Sequence, residues 1–560
     1  MSNHNRSQNL PSMSWMKEAM EKFMASMSPT QTGLPAAKIE WDIEQLEKLQ
    51  SDYIEQATAL WNQSLQSKIE LKDRRFAAKD WQESAGAKFT AALYLLNSQV
   101  LSALVKAVKT DPKTQTRLAF AVEQFVAASA PSNFLALNAE AIGKAIKSDG
   151  ASLSQGLQNL WHDLKQGHVS MTDESVFEVG KNVATSVGQV IYQNPYFQLI
   201  EYAPLTPEVH AKPLLIVPPC INKYYILDLK PENSLVRYAS SQGFRTLVMS
   251  WANPKEDLAF ATWHDYVEQG VIKAIEVCQS LSPTQDLNAL GFCVGGTLLT
   301  SALGVLQASG LKAVQSVTLL TTLVDFTNTG ILDVFIDEKM VEFRELQFAS
   351  GGLMSGRDMA QTFSFLRPND LVWNYVVGNY LKGESPPAFD LLYWNGDATN
   401  LPGPLYAWYL RNMYLENRLK DPQGLEVCDV RFDLSKLDLP LYIYGSKEDH
   451  IVPIDAAYAS TQIFKGKKRF VMGASGHIAG VINPPQARKR SHWVSTKNTF
   501  PKAFKDWEKS SQEIPGSWWD DWSQWLKPLA GQLLAAPKKA GNKSHPPLMP
   551  APGNYVAVKV

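Results

Sequence analysis

Between residues 213 and 473 the chain repeats one pattern. Short runs with apolar residues at nearly every position, "PLLIVPP" (213–219), "FRTLVMSW" (244–251), "LNALGFC" (287–293), "VQSVTLLTTL" (314–323), "LPLYIYG" (439–445) and "KRFVMG" (468–473), are bounded by turn residues. Runs of this length without polar alternation predict strands buried on both faces. Several are separated by stretches such as "WHDYVEQGVIKAIEVCQSL" (263–281), which carry apolar residues at helical spacing. Apolar strands alternating with helices predict an α/β architecture, a parallel sheet with helices on both sides. The alternation breaks between about 324 and 438. That stretch is rich in aromatic residues and predicts a helical cap inserted over the carboxyl edge of the sheet.

A different pattern precedes it. Residues 37–68 place Ile39, Ile43, Leu46 and Leu49 on one stripe with charges between, an amphipathic helix that either packs on its own domain or adsorbs to a partner surface. Residues 73–108 and 115–147 also read as helical, with "DGASLSQG" as a break. A helical N-terminal domain over 1–185 and a catalytic domain over 186–530 are therefore expected, as 560 residues exceed one compact core. Residues 531–560, rich in Pro, Gly and Lys, predict a flexible tail with a short extended end.

Composition narrows the function classes. With 54 basic and 55 acidic residues the formal net charge is −1, which supplies no global attraction to nucleic acid. No run approaches 18 apolar residues, so no transmembrane segment is expected, and "MSNHNRSQNLPSMSW" lacks the pattern of a secretory signal. Cys220, Cys278, Cys293 and Cys428 form no CxxC pair, and no His cluster has zinc-ligand spacing. Free thiols, no metal site and a cytoplasmic location are the expectation.

The chemistry centres on "GFCVGGT" (291–297), directly behind an apolar run. Gly291-Phe292-Cys293-Val294-Gly295 fits the Gly-x-nucleophile-x-Gly elbow of the α/β-hydrolase fold, where a strand turns sharply into a helix. Glycines flank the nucleophile because larger side chains would collide with the neighbouring strand and helix. Cys293 would stand at the N-terminus of "VGGTLLTSALGVLQASG", where the helix dipole favours a thiolate, and the Val294 N–H would face a developing oxyanion. Asp449 in "YGSKEDHIVP" and His477 in "GASGHIAG" each follow an apolar run, giving the order nucleophile, acid, histidine of that fold. His450 reads as a packing neighbour. Cys220, after the first of the apolar runs, is either a small buried thiol or part of the second oxyanion donor, through its own backbone or that of Ile221. Cys278 and Cys428 read as structural. A thiol exchanges thioester for thioester and keeps an acyl group activated, which favours an acyltransferase fed by a thiol carrier such as coenzyme A.

With these residues in place, the chain resembles the polyhydroxyalkanoate synthases of class I. The resemblance rests on "PPCINKYYILDLKPENSLVRY", "VMSWANP", "GFCVGGTL", "FSFLRPNDLVWNYVVGNYL", "WNGDATNLPGPLYAWYLRNMYLENRL", "YGSKEDHIVP", "GASGHIAGVINPP" and "PGNYVAVKV", from about residue 180 to the end, with "WMKEAMEKF" compatible more loosely. It implies polymerisation of (R)-3-hydroxyacyl-CoA, expected to be short-chain, into a polyester with release of CoA and no separate cofactor. Cys293 is then the nucleophile, His477 the base, and Asp449 either orients His477 or helps activate the 3-hydroxyl. It further implies a homodimer, a cap that opens on activation, and residence on cytoplasmic polyester granules, with the N-terminal domain serving dimer stability and granule contact. Phe363, Phe365, Trp373, Tyr375 and Tyr380 either line an apolar path for substrate or form the cap's core. Arg488, Lys489 and Arg490 either meet CoA phosphates or form a solvated basic loop. Two other readings are compatible with the same residues: a thiol-dependent thioesterase, which would release free hydroxyacid, and a non-enzymatic granule-coating protein.

Overall fold

The computed structural model describes residues 40–497 and 499–560. Ile39 and the N-terminal stretch fall outside these. Two units are distinguished, one containing the described residues up to 170 together with 364–386, the other containing 171–363 and 387–560.

The second unit is built on an 11-stranded sheet. Its strands are β1 Gly188–Gln193, β2 Phe197–Tyr202, β3 Leu214–Val217, β4 Thr246–Trp251, β5 Leu287–Phe292, β6 Val314–Leu320, β7 Leu441–Ser446, β8 Lys468–Gly473, β9 Ser491–Ser495, β10 Ser511–Pro515 and β11 Met549–Pro550. Their spatial order is β10-β9-β8-β7-β6-β5-β3-β4-β2-β1-β11. The six apolar runs supply the six parallel strands at the centre, β4-β3-β5-β6-β7-β8. Antiparallel strands extend both edges. This is the α/β-hydrolase fold expected from the sequence. The chain runs from β3 outward to β4 and then returns to lay β5 on the other side of β3. The carboxyl ends of β3 and β5 thus meet at a topological switch point, where open α/β sheets place their ligands.

Burial on both faces explains the apolar runs. Leu215, Val217, Leu247 and Met249 enter one core, while their neighbours Leu214, Ile216 and Val248 enter the core on the opposite side. The helix Val294–Ala308 lies in the first core, with every residue from Val294 to Leu306 buried, and is accordingly apolar apart from Thr297, Thr300 and Ser301, whose hydroxyls donate to backbone carbonyls. The second core holds Trp518, Trp519 and Trp522 of the helix Trp518–Leu526.

The helical unit contains the helices Ile43–Leu65, Ala85–Lys106, Pro112–Ala128, Ala139–Lys147 and Ala151–Gln166. Leu46 and Leu49 pack on a core of Leu60, Leu96, Val100, Leu104, Leu118 and Val122, but Ile43 of the expected stripe is exposed. "DGASLSQG" does not break helical structure throughout. Asp149 and Gly150 make the turn in left-handed conformations, and the next helix starts at Ala151. No helix of the described residues is long and apolar enough to cross a membrane.

Three expected boundaries differ. The division falls at 170 rather than 185, because residues from Met171 onward feed the second unit: Thr172 bonds Phe389, and the Ala184 N–H donates to the Asp228 carbonyl. The cap stretch is split, since 364–386 groups with the helical unit, where Tyr380 Oη donates to Asp163 and Lys144 pairs with Glu384. Residues 531–560 are not a free tail. Leu533–Ala535 pairs with Glu208–His210, β11 adds to β1, and Val556 is buried. Low apolar content predicts a free tail, but this segment is held by hydrogen bonds to β-strands and side chains instead of by an apolar stripe.

Candidate active site

β5 delivers Cys293 to the switch point in a strained backbone conformation, φ 52° and ψ −129°. The Cys293 N–H donates to the Leu320 carbonyl at the end of β6 (3.0 Å), and its own carbonyl accepts from Gly296 N–H (2.9 Å). The elbow leaves no space for side chains beside the sulfur. A Cβ on Gly291 would overlap Gly296, and one on Gly295 would overlap the carbonyl oxygens of Val217 and Pro218. The helix start is thereby pressed against Val217 and Pro218 at the end of β3, and the first-turn N–H of Val294 has no partner four residues back in its helix.

This packing yields a paired prediction. Gly295→Ala must displace backbone rather than a flexible side chain, so it should destabilise the protein by about 1–3 kcal/mol and lower activity beyond what the remaining folded fraction explains. Gly86→Ala, at a helical position with nothing within 4 Å of the added carbon, should leave the melting temperature unchanged or slightly raised. Thermal melts and turnover of the two variants check this.

Asp449 and His477 are brought together just beyond β7 and β8. Asp449 Oδ1 accepts from the N–H groups of Ile451 and Val452, both at 2.9 Å, and Oδ2 lies 2.7 Å from His477 Nδ1. Both oxygens are therefore committed, and the imidazole is fixed in one orientation with Nε2 directed away from the carboxylate. Burial disfavours charge on this ring, but the Asp449 carboxylate and the hydrogen-bonded Cys293 sulfur outweigh it, and the His477 pKa rises to about 10. The ring also stacks on Phe292, at 5.8 Å between centroids. Its short helix, His477–Val481, is held by two indoles: Trp518 Nε1 donates to Gly480 O (3.1 Å) and Trp519 Nε1 to Val481 O (2.9 Å).

The remaining thiols are unlike Cys293. Cys220 is buried, which pushes its pKa up to about 12. Cys278 is buried within its helix, and the Cys428 N–H donates to His264 Nδ1.

Comparison with known proteins follows this geometry. Residues 72–239 match the family described as poly-beta-hydroxybutyrate polymerase N-terminus, and residues 213–484 match the alpha/beta hydrolase fold. The poly(3-hydroxyalkanoate) polymerase subunit of Cupriavidus necator is 54% identical over 92% of this chain and 89% of its own length. The chain belongs to the poly(3-hydroxyalkanoate) polymerase family. A polymerase from Methylorubrum extorquens is 41% identical over 87% of this chain and 81% of its own, and one from Rhizobium meliloti is 37% identical over 89% and 84%.

Within this polymerase-family chain the structure also brings to the site residues that the sequence reading passed over. Phe365, Trp373, Tyr375 and Tyr380 sit in the 364–386 segment of the helical unit, leaving Phe363 as the sole member of the anticipated aromatic group in the catalytic unit. Tyr409 and Tyr414, 5.3 Å apart edge to face with Tyr409 stacked on Trp263 at 5.0 Å, are near enough to Cys293 for its charge to oppose ionisation of both hydroxyls. Burial raises the Tyr409 hydroxyl well above its ordinary value, and Tyr414 and Cys293 add to this. The signal was present in "LYAWYLRNMYLENRL", but no spacing rule separates ring-lined site from ring-filled core. Arg488, Lys489 and Arg490 are exposed on the connection from β8 to β9. Arg490 turns back to the Ala479 carbonyl, and Arg488 borders a cleft of about 460 Å³ shared with His492, Asp520 and Asp521, whose carboxylates oppose a phosphate.

Proposed function

We propose that this chain polymerises (R)-3-hydroxyacyl-CoA, with short-chain substrates such as 3-hydroxybutyryl-CoA preferred, and releases CoA at each addition. The observation that carries the reading is a thiol at the elbow of a hydrolase fold, facing a histidine locked on a carboxylate, in a chain of this family. The Cys293 sulfur attacks the thioester carbonyl while the N–H groups of Val294 and Ile221 receive the oxyanion. CoA leaves as its thiolate and takes the proton of the His477 ring. Once acylated, the sulfur carries no charge, so part of what holds the His477 proton is gone. The neutral ring can then accept the proton of a 3-hydroxyl, whose oxygen attacks the Cys293 thioester, forms an oxygen ester and frees the thiolate. The packed rings of Tyr409, Tyr414 and Trp263, within electrostatic reach of Cys293, support a site poor in water, as transfer to a hydroxyl instead of hydrolysis requires.

CoA enters this scheme as part of the substrate; with acidic neighbours beside Arg488 and Arg490 bonded to Ala479, Lys489 is the residue of this loop that would meet its phosphates. Leu157, Trp161 and Leu164, exposed at helical spacing on Ala151–Gln166, support contact with an apolar polyester surface in the cytoplasm. A homodimer completes the reading.

The test follows CoA release from (R)-3-hydroxybutyryl-CoA with the acyl product analysed in the same reaction. Insoluble polyester in step with CoA is expected. Free 3-hydroxybutyrate in place of polymer would move the function to a thioesterase, and absence of CoA release would reject the substrate class.

A further inference from the structure

Lys223 is a lysine with almost no access to water, 3% exposed, two residues beyond Ile221. An ammonium is seldom buried unless acceptors meet it, and a methionine of similar length would fill the space without that demand. Its Nζ donates to the Val558 carbonyl at 2.5 Å. Asn253 Nδ2 donates to the same oxygen (3.2 Å), while Asn253 Oδ1 accepts the Asn400 N–H (3.0 Å). The segment bearing Val558 is itself anchored, because Gln198 Oε1 accepts the N–H groups of Asn554 and Tyr555, each at 3.1 Å.

The other side of the same loop is held by the cap. The Thr399 N–H donates to Ile221 O (3.1 Å), Trp394 Nε1 donates to Lys223 O (2.7 Å), and Asn222 pairs with Ala398 in an antiparallel bridge. The loop leaving β3 is thus clamped between residues 394–400 and Val558, and Lys223 is its side-chain link to the latter.

We infer that Lys223 is a positioning residue, tying the 220–223 loop to Val558 so that the Ile221 N–H stays aimed at the oxyanion formed beside Cys293. The inference rests on the proposed roles of Cys293 and Ile221. A displacement of about 1 Å in such a donor costs on the order of 10²-fold in rate, so a loosened tether lowers kcat more than it raises KM.

Two variants break the link from opposite ends: Lys223→Met, and deletion of residues 558–560, which leaves the buried Val556 in place. Each is expected to lower kcat for CoA release by about 10- to 100-fold with KM nearly unchanged. The combined variant should be no worse than the deletion alone, since the deletion already removes the Lys223 tether together with the Asn253, Arg357 and Lys559 contacts of these residues. Hydrogen exchange should accelerate in peptides covering 219–224 and stay slow in 294–308. Iodoacetamide should alkylate Cys293 at the parent rate, because the sulfur–imidazole pair does not use the tether. Losses that multiply in the combined variant, or unchanged exchange at 219–224 in the deletion variant, would overturn the inference. Should Lys223→Met fail to fold, the deletion variant and its exchange pattern decide alone. CoA release that survives Cys293→Ala would instead reject the nucleophile assignment, an outcome separate from the tether result.

Discussion

Cys293→Ala should remove CoA release and polymer together, a loss on the order of 10⁶-fold where nucleophile, base and acid act as a unit, while the melting temperature changes little. The expectation follows from the elbow. The φ of 52° at Cys293 is a conformation that alanine adopts at the same cost, and the neighbouring glycines are untouched. Only the sulfur is lost. None of the other three thiols is placed to replace it: burial holds Cys220 and Cys278 above the ordinary thiol range, and burial raises Cys428 to about 12. Steady-state CoA release, polymer mass and a thermal melt on parent and variant check this. An active, folded Cys293→Ala protein would reject covalent catalysis at this residue.

Replacing His477 by glutamine should lower turnover by about 10²- to 10⁴-fold and also change how stability responds to pH. The ring's pKa in the folded protein, about 10, lies above the 6.5 of a free imidazole. A group raised in this way stabilises the fold fully below pH 6.5, and the contribution is lost as pH rises towards 10. The stability gap between parent and His477→Gln should therefore be widest below pH 6.5 and narrow steadily to pH 10, as followed by denaturant melts across that range. Asp449→Asn separates two roles for the acid. With both carboxylate oxygens already committed to His477 and to the Ile451 and Val452 N–H groups, the amide should slow the first acylation and later elongation alike. A single-turnover burst of CoA at the parent rate, followed by failed elongation, would instead assign Asp449 to the substrate hydroxyl.

Legibility in the sequence followed the strength of local constraint. The six central strands were readable because a strand buried on both faces is mostly apolar, and β5, "LNALGF", buried throughout, admits Asn288 only where Ser316 hydrogen-bonds it. The edge strands were not. β9, "SHWVS", and β10, "SQEIP", face solvent in part and carry polar residues that resemble loop. The nucleophile elbow was readable because its geometry excludes side chains at fixed offsets, which leaves glycines in a short pattern. Tyr409, Tyr414 and the indoles of Trp518 and Trp519 were visible only as aromatic composition.

By itself, then, the sequence determined the α/β-hydrolase core and singled out Cys293, Asp449 and His477 as the residues to be brought together, because apolar run length, turn sterics and the chain order of the three are local properties. Tertiary structure alone decided that the stretch 364–386 groups with the helical unit, that Asp449 spends both oxygens, that Tyr409 packs on Trp263 and Tyr414, and that Lys223 reaches Val558. Each of these joins residues far apart in the chain, and a hydrogen bond or a packed ring across that distance leaves no periodic trace in the order of amino acids.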